Sequence, residues 1–136
     1  MATEEGAILD VTFEAGEDLT PDQYRFVVLD TDTTVRRPNN ATTDRPKIIG
    51  VLQNAPDDGE AAVVRVKGVS KFVPGEAILM GEYVKVQYVD ADDAGKGLDA
   101  DVALDVVSGR CILGASEDEL GEVLLPGFTY QVGIAT

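Results

Sequence analysis

Acidic side chains are the residues whose spacing in this sequence could support chemistry. Residues 90–101 place Asp90, Asp92 and Asp101 around Gly95, as carboxylates surround the glycine of a calcium-binding loop. The fifth position is Ala94, where Asp or Asn is expected, and the twelfth is aspartate in place of the usual glutamate. Strand-like segments flank the loop, whereas helices flank a calcium loop of this type. We therefore interpret residues 90–101 as a solvated hairpin loop and expect no metal.

A second acidic group, Asp57, Asp58 and Glu60, resembles the paired carboxylates used in acid–base catalysis. It lies in the segment Pro-Asp-Asp-Gly at residues 56–59. Proline presets the first corner of a turn, aspartate caps its own backbone, and glycine supplies a positive φ. Turn formation is therefore the better explanation of these side chains.

The composition removes much of the remaining enzyme chemistry. The chain contains no histidine, which excludes a Cys–His pair, a Ser–His–Asp triad and a histidine-ligated metal. Its one cysteine, Cys111, excludes an internal disulfide and lies in an apparent strand, where a free cysteine is usually a small buried hydrophobe. We predict that the protein is not an enzyme and holds no cofactor.

Charge and hydropathy restrict the partners. The 136 residues include 25 acidic and 11 basic side chains, a net charge of −14. Such a chain is repelled by nucleic acid and by anionic membranes; the acidity suits either a solubilising surface or a high-salt environment. No apolar run approaches the roughly 20 residues of a membrane helix, and the start lacks the features of a signal peptide. We expect synthesis in the cytoplasm, without membrane contact.

The apolar residues follow a period of two, which predicts an all-β fold. Residues 7–15 alternate, a β-branched run at 48–52 enters the turn at 56–59, and a second run at 62–66 leaves it before a break at Gly68. Seven to nine short strands with at most short helical turns predict a small single-domain β-barrel or sandwich. We divide the chain into an N-terminal arm and first strand (1–14) and a barrel-like domain (15–136).

Two other segments carry local signals. Residues 20–23 have the threonine, proline and glutamine of a capping box, which predicts a single helical turn. Residues 30–44 are rich in Thr, Asp, Asn and Pro and predict an exposed loop. Arg36 and Arg37 in that loop, with Arg45 after it, could form a local basic patch; a partner contact and a solvated loop are both open.

The block GVLQNAPDDGEAAVVRVKGVSKFVPGEAI at residues 50–78 resembles the central block of the small capsid decoration (cement) proteins of tailed viruses, in which GVLQN and GVSK occur together. The flanks AGEDLTPDQYRFVVLD (15–30) and ILGAS with GEVLL (112–125) agree with it. The resemblance implies a structural virion protein on the outer surface of the assembled capsid. Such a protein stabilises the head by bridging major capsid protein subunits, commonly as a homotrimer.

We expect the capsid contacts to come from the arm and the basic loop. The predicted contact residues are Thr3, Ala7, Ile8, Leu9, Arg36 and Arg37. The arm could add to an exposed strand edge of the coat protein, so deleting residues 2–9 should weaken attachment while leaving the melting temperature nearly unchanged. The alternative to a virion role is a generic β-barrel ligand-binding or accessory domain without catalysis.

Overall fold

The chain is nearly all β, as its alternation predicts. The computed structural model describes residues 8–39, 41–44, 47–87, 92–101, 105–127 and 130–131. Within these residues the strands are β1 (Leu9–Ala15), β2 (Phe26–Leu29), β3 (Thr34–Arg36), β4 (Ile48–Leu52), β5 (Ala61–Phe72), β6 (Tyr83–Val86), β7 (Gly97–Asp99), β8 (Val106–Val107), β9 (Gly109–Leu113), β10 (Gly121–Pro126) and β11 (Tyr130–Gln131). The helical elements among them are a 3-10 turn at Thr20–Asp22 and an α-helical turn at Ala41–Asp44. No described helix is long and apolar enough to span a bilayer.

Five strands close into a barrel in the order β1-β3-β2-β4-β5, and the antiparallel pairing of β5 with β1 completes the ring. The pairing between β1 and β3 is parallel and short, with the register pairs Glu14–Thr34 and Ala15–Val35. Apolar side chains fill the interior of the barrel. Those with no exposed surface are Leu19, Val27, Val35, Leu52, Ala62 and Val64. The barrel is therefore a packed core.

Strand β5 belongs to two sheets at once. Its first half pairs with β1 and β4, and its second half pairs with β10, which continues through β9 and β6 to β7. We call the part from the second half of β5 to β7 the second sheet. Gly68 has a φ of +103° where the strand passes between them, a conformation that glycine adopts without strain. The predicted break at Gly68 is thus a kink inside one strand of 12 residues, longer than the short strands expected.

The faces of β5 follow the prediction. Ala62, Val64 and Val66 are buried, while Arg65 and Lys67 on the opposite face are not. A second apolar core lies between the second sheet and the side of β2 and β4 that faces away from the barrel interior. Its buried members include Phe26, Val28, Ile48, Val51, Phe72, Val84, Val86, Cys111 and Val123. Strands β2 and β4 consequently bury side chains on both faces.

The turn at residues 56–59 forms as predicted. The amide of Asp58 donates to the carboxylate of Asp57 at 2.7 Å, and the amide of Glu60 donates to the Asp57 carbonyl at 3.0 Å. Gly59 has a φ of +81°. The amide of Asp57 donates to the Glu60 carboxylate at 2.7 Å. The acids of this segment hold a turn.

Three local predictions are wrong. Residues 30–44 are not simply an exposed loop, because β3 lies within them and Val35 fills the barrel. Thr20 is not the helix cap; its own amide donates to the Asp18 carboxylate at 3.0 Å. The described part of the 90–101 loop is not solvated, because it packs on β2. The amide of Phe26 donates to the Gly95 carbonyl at 2.8 Å. Asp90 lies outside the described residues.

Candidate functional site

The cations of this acidic chain are distributed unevenly. Within the described residues, six of them form ion pairs with carboxylates of the same chain: Arg25, Arg36, Arg37, Arg65, Lys85 and Lys96. The described cations that form no ion pair are Lys47, Lys67, Lys71 and Arg110. Lys67, Lys71 and Arg110 lie on the outer surface of the second sheet. Positive charge without an internal partner is thus concentrated on that surface.

The register of the second sheet places apolar side chains between these cations. Val69 on β5 lies opposite Leu124 on β10, Leu124 lies opposite Arg110 on β9, and Arg110 lies opposite Tyr83 on β6. Directly paired residues project from the same face of a sheet, so these four side chains form one row. Val69 is 37% exposed and Leu124 is 45% exposed.

Two further rows flank this one. On one side of the central row, Lys67 on β5 is opposite Pro126 on β10. On the other side of the central row, Lys71 is opposite Glu122. We define the docking face by its members Lys67, Val69, Lys71, Tyr83, Arg110, Glu122 and Leu124. An open depression of about 370 Å³ lies over Lys67, Arg110 and Leu124.

Aromatic rings hold two of the cations in place. The guanidinium carbon of Arg110 is 5.4 Å from the centre of the Tyr83 ring, and its Nε donates to the Gly81 carbonyl at 3.2 Å. The ammonium of Lys71 is 5.8 Å from the ring centre of Tyr24. Neither contact is an ion pair, because a ring face attracts a cation without carrying net charge. The docking face therefore suits a protein surface that combines apolar and acidic side chains.

The structure brings the segments GVLQN and GVSK of this chain into contact. Nε2 of Gln53, from GVLQN, donates to the hydroxyl of the buried Ser70, from GVSK, at 2.8 Å. A Cβ on Gly50 would lie 2.1 Å from the Arg65 carbonyl oxygen, so β4 approaches β5 closely only with glycine there. Val69 and Lys71 lie immediately before and after Ser70 on β5. Their side chains point outward onto the docking face.

The arm residues of the predicted contact set are placed in part. Thr3 and Ala7 lie outside the described residues. Ile8 and Leu9 are 51% and 52% exposed, and the register of β1 with β5 shifts between Leu9 and Asp10. Because Leu9 is also the first residue of β1, deleting residues 2–9 would remove one residue of the barrel ladder.

The two arginines of the contact set are engaged within the chain. Arg36 holds both carboxylate oxygens of the buried Asp44 at 2.9 Å, and Arg37 contacts Asp22 at 2.6 Å. The hydrogen bond with each aspartate raises the pKa of its arginine. Their role as capsid contacts stays a prediction, and Arg45 lies outside the described residues.

The clearest titration anomaly is the carboxyl pair Glu82 and Asp99. Burial raises the pKa of Asp99 to about 6, and its hydrogen bond with Glu82 adds to this rise. The same hydrogen bond lowers the pKa of Glu82. The described residues contain no group of three or more acidic or cysteine side chains suited to hold a metal ion, and the prediction of no metal stays untested.

Comparisons with known proteins give a fold and not a family. No protein-family model matches the chain, and no curated protein matches it. Among solved structures, the fold is similar to the head fiber gp8.5 N base of bacteriophage phi29, with a TM-score of 0.58 and 17% sequence identity over 90% of this chain and 98% of that one. At this identity the similarity establishes a shared fold.

Proposed function

We propose that this chain is a structural virion protein that attaches to the outer surface of a tailed-virus head through the docking face. The observation that carries the proposal is the grouping of Lys67, Lys71 and Arg110 around Val69 and Leu124 in a chain of net charge −14. An apolar centre with charged neighbours is the usual composition of a protein-binding surface. An acidic remainder suits the exterior of a head, away from the packaged nucleic acid.

Two further observations support the assignment. One similar solved structure is the N base of a phage head fiber. The block that resembles decoration proteins includes the end of β4, the turn at 56–59 and all of β5, and so contributes Lys67, Val69 and Lys71 to the docking face. Bridging between major capsid protein subunits, and a trimer on the capsid, are the finer features that the resemblance implies. Bridging would follow if the docking face and the N-terminal arm bind neighbouring coat subunits.

The ligand-binding alternative finds less support. A small-molecule site usually needs a concave pocket of roughly 300–1,000 Å³. Leu19, Val27, Val35, Leu52 and Val64 fill the barrel interior instead. The depression over the docking face is open to solvent, as a protein-binding surface is. A small-molecule thermal-shift screen that gave a reproducible hit would favour this alternative.

Co-sedimentation with purified heads of the encoding virus tests the proposal. Lys71→Glu and Arg110→Glu each reverse one charge on the docking face, and each should weaken binding about tenfold or more. Lys47→Glu makes the same change in net charge at an exposed cation outside the docking face and should bind within about twofold of the parent. Equal binding by all three variants would refute the docking face as the contact, and loss of binding by all three would show non-specific electrostatics.

A further inference from the structure

The barrel has an open seam between β1 and β3. These strands pair only through Glu14 and Ala15, although β1 begins at Leu9. Among the described residues, nothing pairs with the β3 side of residues 10–13, whereas β5 pairs with the other side along the same length. The barrel is therefore closed at the C-terminal end of β1. Among the described residues, the rest of β1 has no partner strand on its β3 side.

Backbone groups on β1 point into this seam. The Glu14 amide donates to Thr33 on the β3 side at 2.9 Å, and the Ala15 amide donates to Glu60 on the β5 side at 2.9 Å. Successive residues of a strand direct their N–H and C=O groups to opposite sides. Asp10, Thr12 and Glu14 are alternate residues of β1 and direct their backbone groups to the same side. Asp10 and Thr12 therefore present two amides and two carbonyls to the seam. Such a row of groups is a template for another strand.

Core side chains are exposed at the same place. Val11 and Phe13 pack against the barrel core, yet both are only half-buried, whereas Ala15 on the same face is 1% exposed. An open depression of about 600 Å³ borders these residues together with Asp32 and Thr33. A strand lying in the seam would cover Val11 and Phe13 and extend the closure that β3 begins.

We propose that the seam accepts an extended strand from a partner protein, by addition to the free edge of β1. The side chains of that strand alternate: apolar residues face Val11 and Phe13, and lysine or arginine residues face outward. The outward charge follows from complementarity, because Glu14 and Asp32 beside the seam form no ion pair within the described residues. Backbone pairing supplies affinity, and the alternate side chains supply selectivity. This site is separate from the docking face and does not depend on the proposed function.

Backbone amide exchange with a synthetic peptide tests the inference. The probe is a capped nine-residue peptide that alternates lysine and valine, and the control has the same composition with its lysines grouped at one end. The Asp10 and Thr12 amides should exchange quickly in the free protein and at least about tenfold more slowly with saturating probe. The control peptide should protect neither amide, because grouped lysines supply charge without the alternation. Equal protection by both peptides would show electrostatic binding alone and would overturn the inference.

A pair of protein variants gives a second readout. Thr12→Pro removes an amide that points into the seam and leaves the β5 side of the ladder intact, which edge strands tolerate. Thr12→Ala keeps that amide and removes the side chain. The proline variant should lose probe binding, and the alanine variant should bind within about threefold of the parent. If Thr12→Pro does not fold, a probe N-methylated at alternate residues on its pairing edge replaces it and should not bind. Undiminished binding in either case, or slow exchange of both amides in the free protein, would refute the open seam.

Discussion

Replacing Arg37 with methionine tests whether this arginine serves folding or capsid contact. In the folded protein its guanidinium lies 2.6 Å and 3.2 Å from Oδ2 of Asp22, which is 1% exposed. Without it, the nearest cation is Arg25, 3.6 Å from Oδ1. Breaking a buried ion pair on one side costs about 3–5 kcal/mol, and the remaining Arg25 argues for the lower end. We expect a loss of about 3 kcal/mol, or roughly 10 °C in melting temperature.

Urea denaturation at neutral pH measures this loss. The double variant Arg37→Met with Asp22→Asn should lose only about 1 kcal/mol, because it also removes the buried carboxylate that Arg37→Met leaves without its closest cation. The control Lys47→Met removes an exposed cation that forms no ion pair within the described residues, and should change stability by less than about 0.5 kcal/mol. An Arg37→Met protein that unfolds like the parent but no longer binds heads would contradict the structural role and favour the predicted contact.

The remaining predictions concern the core, the carboxyl pair and calcium. Val64→Ala should lower the free energy of unfolding by about 1–3 kcal/mol through lost burial in the barrel, and an unchanged urea midpoint would contradict this assignment. Asp99→Asn should stabilise the protein by about 1 kcal/mol at pH 7.5, because the folded protein there carries a charge whose pKa is raised from 3.8 to about 6. The gain should fall to about half at pH 5, because Asp99 of the parent is then protonated in the folded state. An equal gain at both pH values would show that the raised pKa of Asp99 is not its cause. Millimolar calcium should leave the melting temperature within about 1 °C, since binding to the native state would raise it.

The sequence predicts those parts of the fold that depend on neighbouring residues. Alternation is local, so it identifies β1 and the buried face of β5, and the Pro-Asp-Asp-Gly segment identifies its turn. It misses β3, because Val35 is the one apolar residue among Thr, Asp and Arg and gives no period. It also cannot show that β2 buries both faces, since continuous apolar residues indicate burial without naming two partners.

The docking face was missed for a related reason. The outward positions of Lys67, Val69 and Lys71 follow from alternation alone. Their neighbours Leu124 and Arg110 come from strands about 40 to 55 residues further along, and a pairing of this range depends on the whole topology. Spacing could not show, either, that Arg36 and Arg37 meet Asp44 and Asp22, because unpaired and ion-paired arginines look alike in a sequence.

The shared strand has a mechanical consequence. Val69 and Lys71 of the docking face lie on the second half of β5 and the barrel is built on the first half, so one continuous backbone connects them through Gly68. A force applied at the docking face along the strand passes into the barrel through covalent bonds. It loads the hydrogen bonds of β1, β4 and β10 in shear, in which many bonds resist together because they lie perpendicular to the strand. A pull on the docking face along β5 is therefore resisted without a hinge opening between the two halves of the protein.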